Sequence, residues 1–396
     1  MIAVIGLFVS KPKQHPATTA AERAAYEEIV SQWKTNDPAG MKEKCERFLK
    51  RYPHSKGAEY VAILVGECLV QSGDWKAAGA FYRGLESKFP KSENIDRFVF
   101  FQGLAFFMDA NFNESTPLLN RVIKNYPNSA LIENASYYLA MSYFLSGVDR
   151  YKETLAACSD YLKKFPDGQF AGDMRHRLSF IDFNDKDENQ DDKIIRDLSG
   201  FLAQHPDDNA NGSMYCLLAD TYKRKKTKSD EEAKANEDKA IETYIKAVWT
   251  DSPDDVIQYA IESATNLLQA RKDWAAIADL HAAFLKKKPD SQLALISVAQ
   301  VAKMKARLGK PEEASEMLAN ALSAKIGDPD AEQVELLIDE LVKTIVPRKK
   351  HSDIDYDALD KQLVELLNKV IKGRENKTTA ARIQYARARL AQMLKR

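Results

Sequence analysis

The sequence predicts an all-α protein built from repeated helical hairpins, and three observations support this prediction. Seven similar segments each contain a proline, and these prolines are spaced by 37, 37, 39, 40, 47 and 36 residues. A period in this range is typical of stacked helix pairs. The chain has only 14 prolines and 16 glycines in 396 residues, too few for the turns of an all-β protein. Its content of 44% hydrophobic and 29% charged residues excludes global disorder.

The repeated segment predicts where each hairpin ends. Leu85 to Ser92 reads LESKFPKS, and a proline in this position ends the helix before it. Two residues after the proline stands Ser, Gly or Asp, which is suited to capping the next helix. Thirteen residues after the proline comes a small residue, which lets two helices approach closely. These small residues are Gly66, Gly103, Ala140, Ala219 and Ala302.

Each hairpin then needs a short break and a second helix. Gly73 and Asp74 form such a break, and apolar residues follow at Ala78, Tyr82 and Leu85. The same offsets before Pro289 fall on Ile277, His281 and Phe284, so His281 is predicted to lie in the core.

These patterns resemble tetratricopeptide repeats. Leu139-Ala140-x-x-Tyr143 is similar to the first-helix signature, and Ala78-x-x-x-Tyr82-x-x-Leu85 followed by Pro90 is similar to the second. The resemblance implies a right-handed α-α superhelix of about eight hairpins with a C-terminal helical cap. The aromatic-Pro-x-Ser ending resembles bacterial cell-envelope members, of the outer-membrane-assembly and Tol-Pal-associated type. The first cysteine is Cys45, so a lipid anchor is not expected.

Three regions follow from this interpretation: an N-terminal segment (1–19), a solenoid (20–330) and a cap (331–396). The apolar run from Ile2 to Val9 resembles part of a secretory signal, although no basic residue precedes it. Together with the family resemblance, it favours export to the periplasm or cell envelope. The alternative is a frayed end on a cytoplasmic protein.

Two stretches depart from the repeat. Residues 223–239 form a charged insertion, interpreted as longer helices or a solvated loop, or alternatively as an arm for a specific partner. The acidic stretch from Asp182 to Asp192 resembles a calcium loop only in composition. Gln190 and Arg196 stand where such a loop needs Gly and a bidentate Glu, so an acidic turn is favoured.

The C-terminal region predicts three helices, at Val334 to Val346, Tyr356 to Lys372 and Thr378 to Leu394. A stacked array needs such a cap over its last apolar face. Residues 366–396 hold nine basic residues and one acidic residue. They form either a solvated helix face or a contact for an acidic partner, lipid headgroups or RNA.

The resemblance also implies that the first helices line a concave groove for a helix or an extended peptide. The alternative is that these side chains pack into the core of the solenoid. The candidate groove residues are Tyr60, Ile63, Glu67, Arg97, Phe100, Leu104, Phe107, Tyr137, Met141, Phe144, His176 and Phe180.

No catalytic, cofactor or metal motif occurs in the sequence. The six histidines are scattered, and Asp173 with His176 is interpreted as a surface pair. The four cysteines lack C-x-x-C spacing and are predicted to be buried free thiols, with one disulfide as the alternative. The net charge of zero argues against general nucleic-acid binding. The sequence therefore predicts a non-catalytic scaffold for a protein partner, without cofactor. The alternative is a cytosolic adaptor that uses the basic tail.

Overall fold

The computed structural model describes residues 19–32, 37–185, 189–327, 333–346, 355–373 and 375–394. In these ranges all regular secondary structure is helical, with nineteen α-helices and a 3-10 turn at Val148–Arg150. The predicted all-α fold is therefore confirmed. The chain forms two compact units, Met1–Asn189 and Gln190–Arg396.

The first unit contains nine α-helices. They are α1 (Ala20–Gln32), α2 (Pro38–Arg51), α3 (Ala58–Gln71), α4 (Trp75–Lys88), α5 (Ile95–Met108), α6 (Phe112–Asn125), α7 (Ile132–Leu145), α8 (Tyr151–Lys164) and α9 (Ala171–Asn184).

The second unit contains ten. They are α10 (Asp191–Gln204), α11 (Asn211–Arg224), α12 (Asp230–Val248), α13 (Asp254–Ala270), α14 (Trp274–Lys287), α15 (Ala294–Arg307), α16 (Pro311–Lys325), α17 (Val334–Ile345), α18 (Tyr356–Ile371) and α19 (Lys377–Met393).

Consecutive helices pack against each other within each unit, as in a solenoid. Odd-numbered helices up to α15 are the first helices of hairpins, and the even-numbered helices that follow are the second. Four hairpins lie in the first unit (α1 to α8) and three in the second (α11 to α16). The helices assigned to the remaining predicted hairpin, α9 and α10, belong to different units.

After five of the seven repeat prolines, the residue two positions onward acts differently from the predicted helix cap. The Ser55 hydroxyl accepts a hydrogen bond from the backbone N–H of Gly57 at 3.1 Å, and Ser92 accepts one from Asn94 at 2.9 Å. Asp208 does the same for Ala210 at 2.8 Å. The acceptor reaches only two residues onward because it stands three or more residues before the helix. It stabilises the turn that enters the helix.

Five of the hairpin turns that the structure describes use left-handed backbone. Gly73, Gly147 and Gly309 have positive φ, and Ala110 and Lys272 adopt φ of 55° and 58° at corresponding positions. After α3 the Asp74 N–H bonds to Leu69 O, and after α13 the Asp273 N–H bonds to Leu268 O. These are six-to-one bonds of the Schellman type, which favour glycine because a side chain is disfavoured at positive φ.

The small residues of the first helices do allow close packing, as predicted. A Cβ placed on Gly66 would lie 2.6 Å from Cζ of Tyr82, a residue of the second helix that is fully buried. One repeat later, a Cβ on Gly103 would lie 3.1 Å from Leu119. Leu119 is smaller than Tyr82, so it leaves slightly more room beside the small residue of its repeat.

The helices after the last hairpin share its core. Buried side chains of α15 and α16 form one apolar cluster with those of α17, α18 and α19. Arg382 of α19 also donates hydrogen bonds to the carbonyl groups of Lys325 and Ile326 at the end of α16, both at 3.2 Å. These contacts are those expected of a cap, although the proposed domain bounds stay a prediction.

The extra ten residues of the long repeat are divided among three places. The α11–α12 loop has five residues where the α3–α4 turn has three, and α12 has 19 residues where α4 has 14. The segment Trp249–Ser252 precedes Pro253, where the single residue Phe89 precedes Pro90. The loop and α12 are therefore longer, whereas α11 keeps the 14 residues of the other first helices.

The buried thiols and the core histidine are as predicted. All four cysteines are free and buried. His281 is 3% exposed, with Nε2 at 3.0 Å from the Thr265 hydroxyl and Nδ1 at 3.1 Å from the Ser297 hydroxyl. Thr265 also donates to the carbonyl of Ile261 at 2.7 Å. Burial lowers the pKa of His281 to about 4, so the imidazole is neutral near pH 7.

The predicted signal remnant, Ile2 to Val9, lies outside the described residues. Among the helices that the structure does describe, no segment combines the length and apolar character needed to cross a bilayer.

Candidate functional site

The candidate groove residues lie on one face of four first helices, α3, α5, α7 and α9. They stand seven, ten, fourteen or seventeen residues after the repeat prolines, so successive members on a helix are three or four residues apart. This spacing places them on the same side of each helix.

The structure places seven of the twelve candidates in the buried core. Phe100, for example, is fully buried and packs against Phe101 and Tyr138, with ring centroids 5.3 and 6.2 Å apart. Their burial corresponds to the core-packing alternative, and a partner could reach them only if the helices repacked. The buried candidates are Ile63, Glu67, Phe100, Leu104, Phe107, Tyr137 and Met141.

Three of the five half-exposed candidates, Phe144, His176 and Phe180, form a cluster on α7 and α9. The rings of Phe144 and Phe180 meet edge to face at 5.8 Å, and the His176 ring lies 6.4 Å from Phe180. Burial, together with the positive charge of Arg177, lowers the pKa of His176 to about 4. At neutral pH the cluster therefore offers a neutral imidazole beside two aromatic rings.

Arg177 belongs to the same cluster and was missed by sequence reasoning. Its guanidinium lies 4.8 Å from the centre of the Phe144 ring, and it forms an ion pair with Asp173 at 3.0 Å. The four-residue spacing from Asp173 to Arg177 was the available signal, because such pairs face each other on a helix. We call Phe144, His176, Arg177 and Phe180 the α7–α9 cluster.

The other two half-exposed candidates, Tyr60 and Arg97, lie around an ion pair on α3 and α5. Arg97 pairs with Glu67, whose side chain is fully buried, and its guanidinium lies 5.4 Å from the Phe101 ring centre. Tyr60 packs on Tyr26 with ring centroids 6.0 Å apart. The pair joins two neighbouring hairpins, and most of its surface is unavailable to a partner.

The basic C-terminal helix uses several of its charges within the protein. Arg387 forms a bidentate pair with Asp360 at 2.8 Å, and Arg389 forms one with Asp339 at 2.8 and 3.0 Å. With Arg382 bound to α16, three basic residues of the tail already have partners. Fewer charges are therefore left for an acidic ligand than the sequence implied.

The charged insertion and the acidic stretch also pair with each other. Arg224 contacts Asp191 at 2.7 Å, and Lys225 contacts Asp192 at 2.7 Å. Residues 186–188 of the calcium-like stretch lie outside the described residues. Among the residues that the structure covers, no group of three or more His, Cys, Asp or Glu is placed to hold a metal ion.

Comparison with known proteins gives a family resemblance over part of the chain. The family model described as YfiO, outer membrane lipoprotein, matches residues 65–186. Outer membrane protein assembly factor BamD of Caulobacter vibrioides is 28% identical over 115 residues, which are 28% of this chain. The chain spans 38% of the length of that relative. The predicted resemblance to bacterial outer-membrane-assembly repeat proteins is thereby confirmed.

Solved structures of helical-repeat proteins also align with most of the chain, at low similarity. The tetratricopeptide domain of P58(IPK) is 11% identical, with a TM-score of 0.26. The alignment covers 95% of this chain and 100% of the P58(IPK) chain. A chain in the structure of Naa15/Naa10 bound to HypK is 14% identical, with a TM-score of 0.33. The alignment covers 94% of this chain and 56% of that chain.

Proposed function

We propose that this protein is a non-catalytic scaffold of a bacterial cell envelope that binds a segment of a protein partner. The observation that carries the proposal is the family match over residues 65–186. That range contains α4 to α9 and with them the whole α7–α9 cluster. The relative's name refers to assembly of outer membrane proteins, and a role of the same kind is proposed for this chain.

The α7–α9 cluster is the surface proposed for the partner. Half-exposed Phe144 and Phe180 supply apolar area, and Arg177 supplies a cation held in place by Asp173. Aromatic and arginine side chains of this kind dominate the affinity of many protein interfaces. The seven buried candidates lie in the core of α3, α5 and α7 and are not proposed to touch the partner.

Site-specific photocrosslinking in the native bacterium tests the proposal. A photoreactive phenylalanine analogue at position 180 is expected to give a discrete adduct with an envelope protein, identified by mass spectrometry. The control carries the analogue at Lys124, which is exposed on the second helix α6. Equal adducts from both positions, or adducts only with cytoplasmic proteins, would contradict the proposal.

Paired alanine variants separate binding from folding. Phe180→Ala is expected to weaken capture of the crosslinked partner with little change in melting temperature. Phe100→Ala should instead lower the melting temperature, because it leaves a cavity in the core, at a cost of about 3–5 kcal/mol. If Phe180→Ala unfolds the protein as Phe100→Ala does, the residue is structural and the proposed surface is wrong.

A further inference from the structure

The loops that join successive hairpins of the first unit lie along one edge of it. They connect α2 to α3, α4 to α5, α6 to α7 and α8 to α9. Short loops between packed helices make neighbours antiparallel, so the second helices run toward this edge and the first helices run away from it. We call the surface formed by these four loops and the adjoining helix ends the inter-hairpin edge.

Polar contacts between neighbouring loops make this edge continuous. In each contact a glutamate near one loop binds a group near the next loop along the chain. The partners are Glu59 with the Asn94 side chain at 2.9 Å, Glu86 with Arg121 at 2.6 Å, and Glu133 with the backbone N–H of Gln169 at 2.6 Å. The four loops therefore form one surface rather than four separate tips.

Eight exposed cations stand on the inter-hairpin edge. They are Lys50, Arg51 and Lys56 at the first loop, Lys88 and Lys91 at the second, Lys124 at the third, and Lys163 and Lys164 at the fourth. In the part of the chain that the structure describes, only Lys163 among them forms an ion pair, with Asp160 at 3.4 Å. The exposed carboxylates here are those of Asp160, Glu93 and Asp167. Eight cations against three exposed carboxylates leave an excess of five positive charges.

Neither the helix dipole nor the repeat explains this row of cations completely. Basic residues at the ends of the second helices complement the helix dipole. Lys56 and Lys91, however, follow the repeat prolines and lie outside any helix. In the second unit, the segments after Pro206 and Pro253 each begin with two aspartates instead. The basic edge is therefore a particular feature of the first unit.

Aromatic rings hold three of the cations in place. Each ring belongs to the residue before a repeat proline and is half-buried. A cation–π contact positions a charge without neutralising it, so the charged groups stay available to a ligand. The pairs are Arg51 with Tyr52 at 5.5 Å, Lys88 with Phe89 at 5.3 Å and Lys164 with Phe165 at 5.5 Å.

The opposite edge of the first unit, formed by the turns inside the hairpins, carries negative charge. The α3–α4, α5–α6 and α7–α8 turns each contain one exposed aspartate, namely Asp74, Asp109 and Asp149. Arg150 in the last of these turns is paired with Glu153 at 3.0 Å. Charges of opposite sign on the two edges would orient the unit in front of a charged surface.

We propose that the inter-hairpin edge binds the surface of an anionic phospholipid bilayer. Seven of its eight cations are lysines, compact charges on flexible stems that need no fixed partner geometry. Each basic residue near an anionic bilayer tightens binding about fivefold. Cations spread over four successive loops fit an extended charged plane better than one acidic peptide. Single-stranded nucleic acid would need exposed rings for base stacking, whereas Tyr52, Phe89 and Phe165 are half-buried.

This contact is separate from the surface proposed for the protein partner. Phe144 and Phe180 of the α7–α9 cluster lie toward the other ends of α7 and α9, away from the inter-hairpin edge. A unit bound to a bilayer by this edge would therefore leave the cluster accessible. The bilayer contact does not depend on the partner, so either proposal can fail without the other.

Vesicle sedimentation with the full chain tests the proposal. Vesicles of equimolar phosphatidylglycerol and phosphatidylcholine are expected to bind the protein at least about tenfold more tightly than phosphatidylcholine vesicles, and added salt should weaken this binding. Equal binding to both kinds of vesicle would overturn the proposal. Tighter binding to a single-stranded oligonucleotide of mixed sequence than to the anionic vesicles would also overturn it, because the edge would then belong to a nucleic-acid site.

Matched charge variants locate the binding. One variant changes four lysines of the edge to glutamine and is expected to bind anionic vesicles at least about 20-fold more weakly. The control changes four lysines of the charged insertion, which are also exposed, and should bind nearly as the native protein does. Equal losses would show that binding follows overall charge, and the edge would be rejected. The substitutions are Lys56→Gln, Lys88→Gln, Lys91→Gln and Lys124→Gln in the first variant, and Lys223→Gln, Lys226→Gln, Lys228→Gln and Lys234→Gln in the control.

A fluorescent label reports the orientation on the bilayer. The four native thiols are buried, so a label reacts selectively with a cysteine introduced at the surface. A label at Asn125→Cys, on the inter-hairpin edge, should be quenched by anionic vesicles that carry a quencher lipid. A label at Ser72→Cys, on the opposite edge, should be quenched much less. Equal quenching at the two positions, or stronger quenching at Ser72→Cys, would refute binding through this edge.

Discussion

Gly66→Ala should destabilise the first unit although alanine is the better helix former. The added Cβ would lie 2.6, 2.8 and 2.9 Å from Cζ, Oη and Cε2 of Tyr82, whereas carbon atoms in ordinary contact are about 3.5–4.0 Å apart. The ring must therefore move by about 1 Å. It cannot do so freely, because it is fully buried and stacked on Phe101 with centroids 4.9 Å apart.

Two opposing contributions set the size of the effect. Replacing glycine by alanine inside a helix gains about 1 kcal/mol of stability. Overpacking a tight core costs about 1–3 kcal/mol, and the stacked Tyr82 places this case toward the upper end. We expect a net loss of about 1–2 kcal/mol in the free energy of unfolding. Gly84→Ala in α4 is the matched control, since no neighbouring atom lies within 4 Å of its Cβ. It should gain about 0.5–1 kcal/mol.

Native-state hydrogen exchange is the appropriate assay, because repeat arrays unfold in parts and a single melting curve averages over them. Exchange of the α3 and α4 amides should accelerate about 5- to 30-fold in Gly66→Ala and slow in Gly84→Ala. Gly103→Ala should be milder than Gly66→Ala, because Leu119 lies 3.1 Å from the added carbon. Slower exchange in Gly66→Ala would refute the close-packing argument.

Three further predictions concern stability. Lys272→Gly relieves a positive φ of 58° and should raise the free energy of unfolding by about 0.5–1 kcal/mol in urea titrations; a loss would show that the lysine side chain matters more than the turn. His281 has a folded pKa of about 4 and an unfolded pKa of about 6.5, so its neutral form stabilises the protein above pH 6.5. That stability, up to about 3 kcal/mol, is lost as the pH falls from 6.5 to 4. His281→Gln should flatten this dependence in unfolding measured at several pH values, and an unchanged slope would assign it to other groups. Glu67→Ala removes the buried carboxylate that Arg97 contacts and should cost about 3 kcal/mol, whereas exchanging both residues for Met should be nearly neutral by calorimetry; equal losses would argue against the ion pair.

The sequence predicted the helices well because their ends are fixed locally. Prolines end the second helices. Small residues such as Gly66 and Gly103 mark the points where two helices pack closely, and this signal does not depend on the rest of the chain. Exposure was harder to predict. Phe100 and Phe180 have helical positions on the same face of their repeats, yet one is buried and the other half-exposed. Periodicity gives the face of a helix, but the spacing to the neighbouring helices decides which side chains water can reach.

The longest repeat shows the same limit. The spacing from Pro206 to Pro253 revealed that extra residues exist, but it could not divide them between loop and helix. Only the folded chain places Ser252 beside Gly212 at the start of α11.

The nearest-neighbour character of the contacts has a consequence for synthesis. Even the described side-chain hydrogen bonds between distant elements join residues no more than 57 positions apart, as between Arg382 and Lys325. Chains with such local contacts fold within microseconds to milliseconds, whereas a ribosome adds about 5–20 residues per second. Folding can therefore begin during synthesis, once about three hairpins have left the ribosome and can share a core. Any step that needs an unfolded chain, such as passage through a translocation channel, must act before that point or hold the chain open.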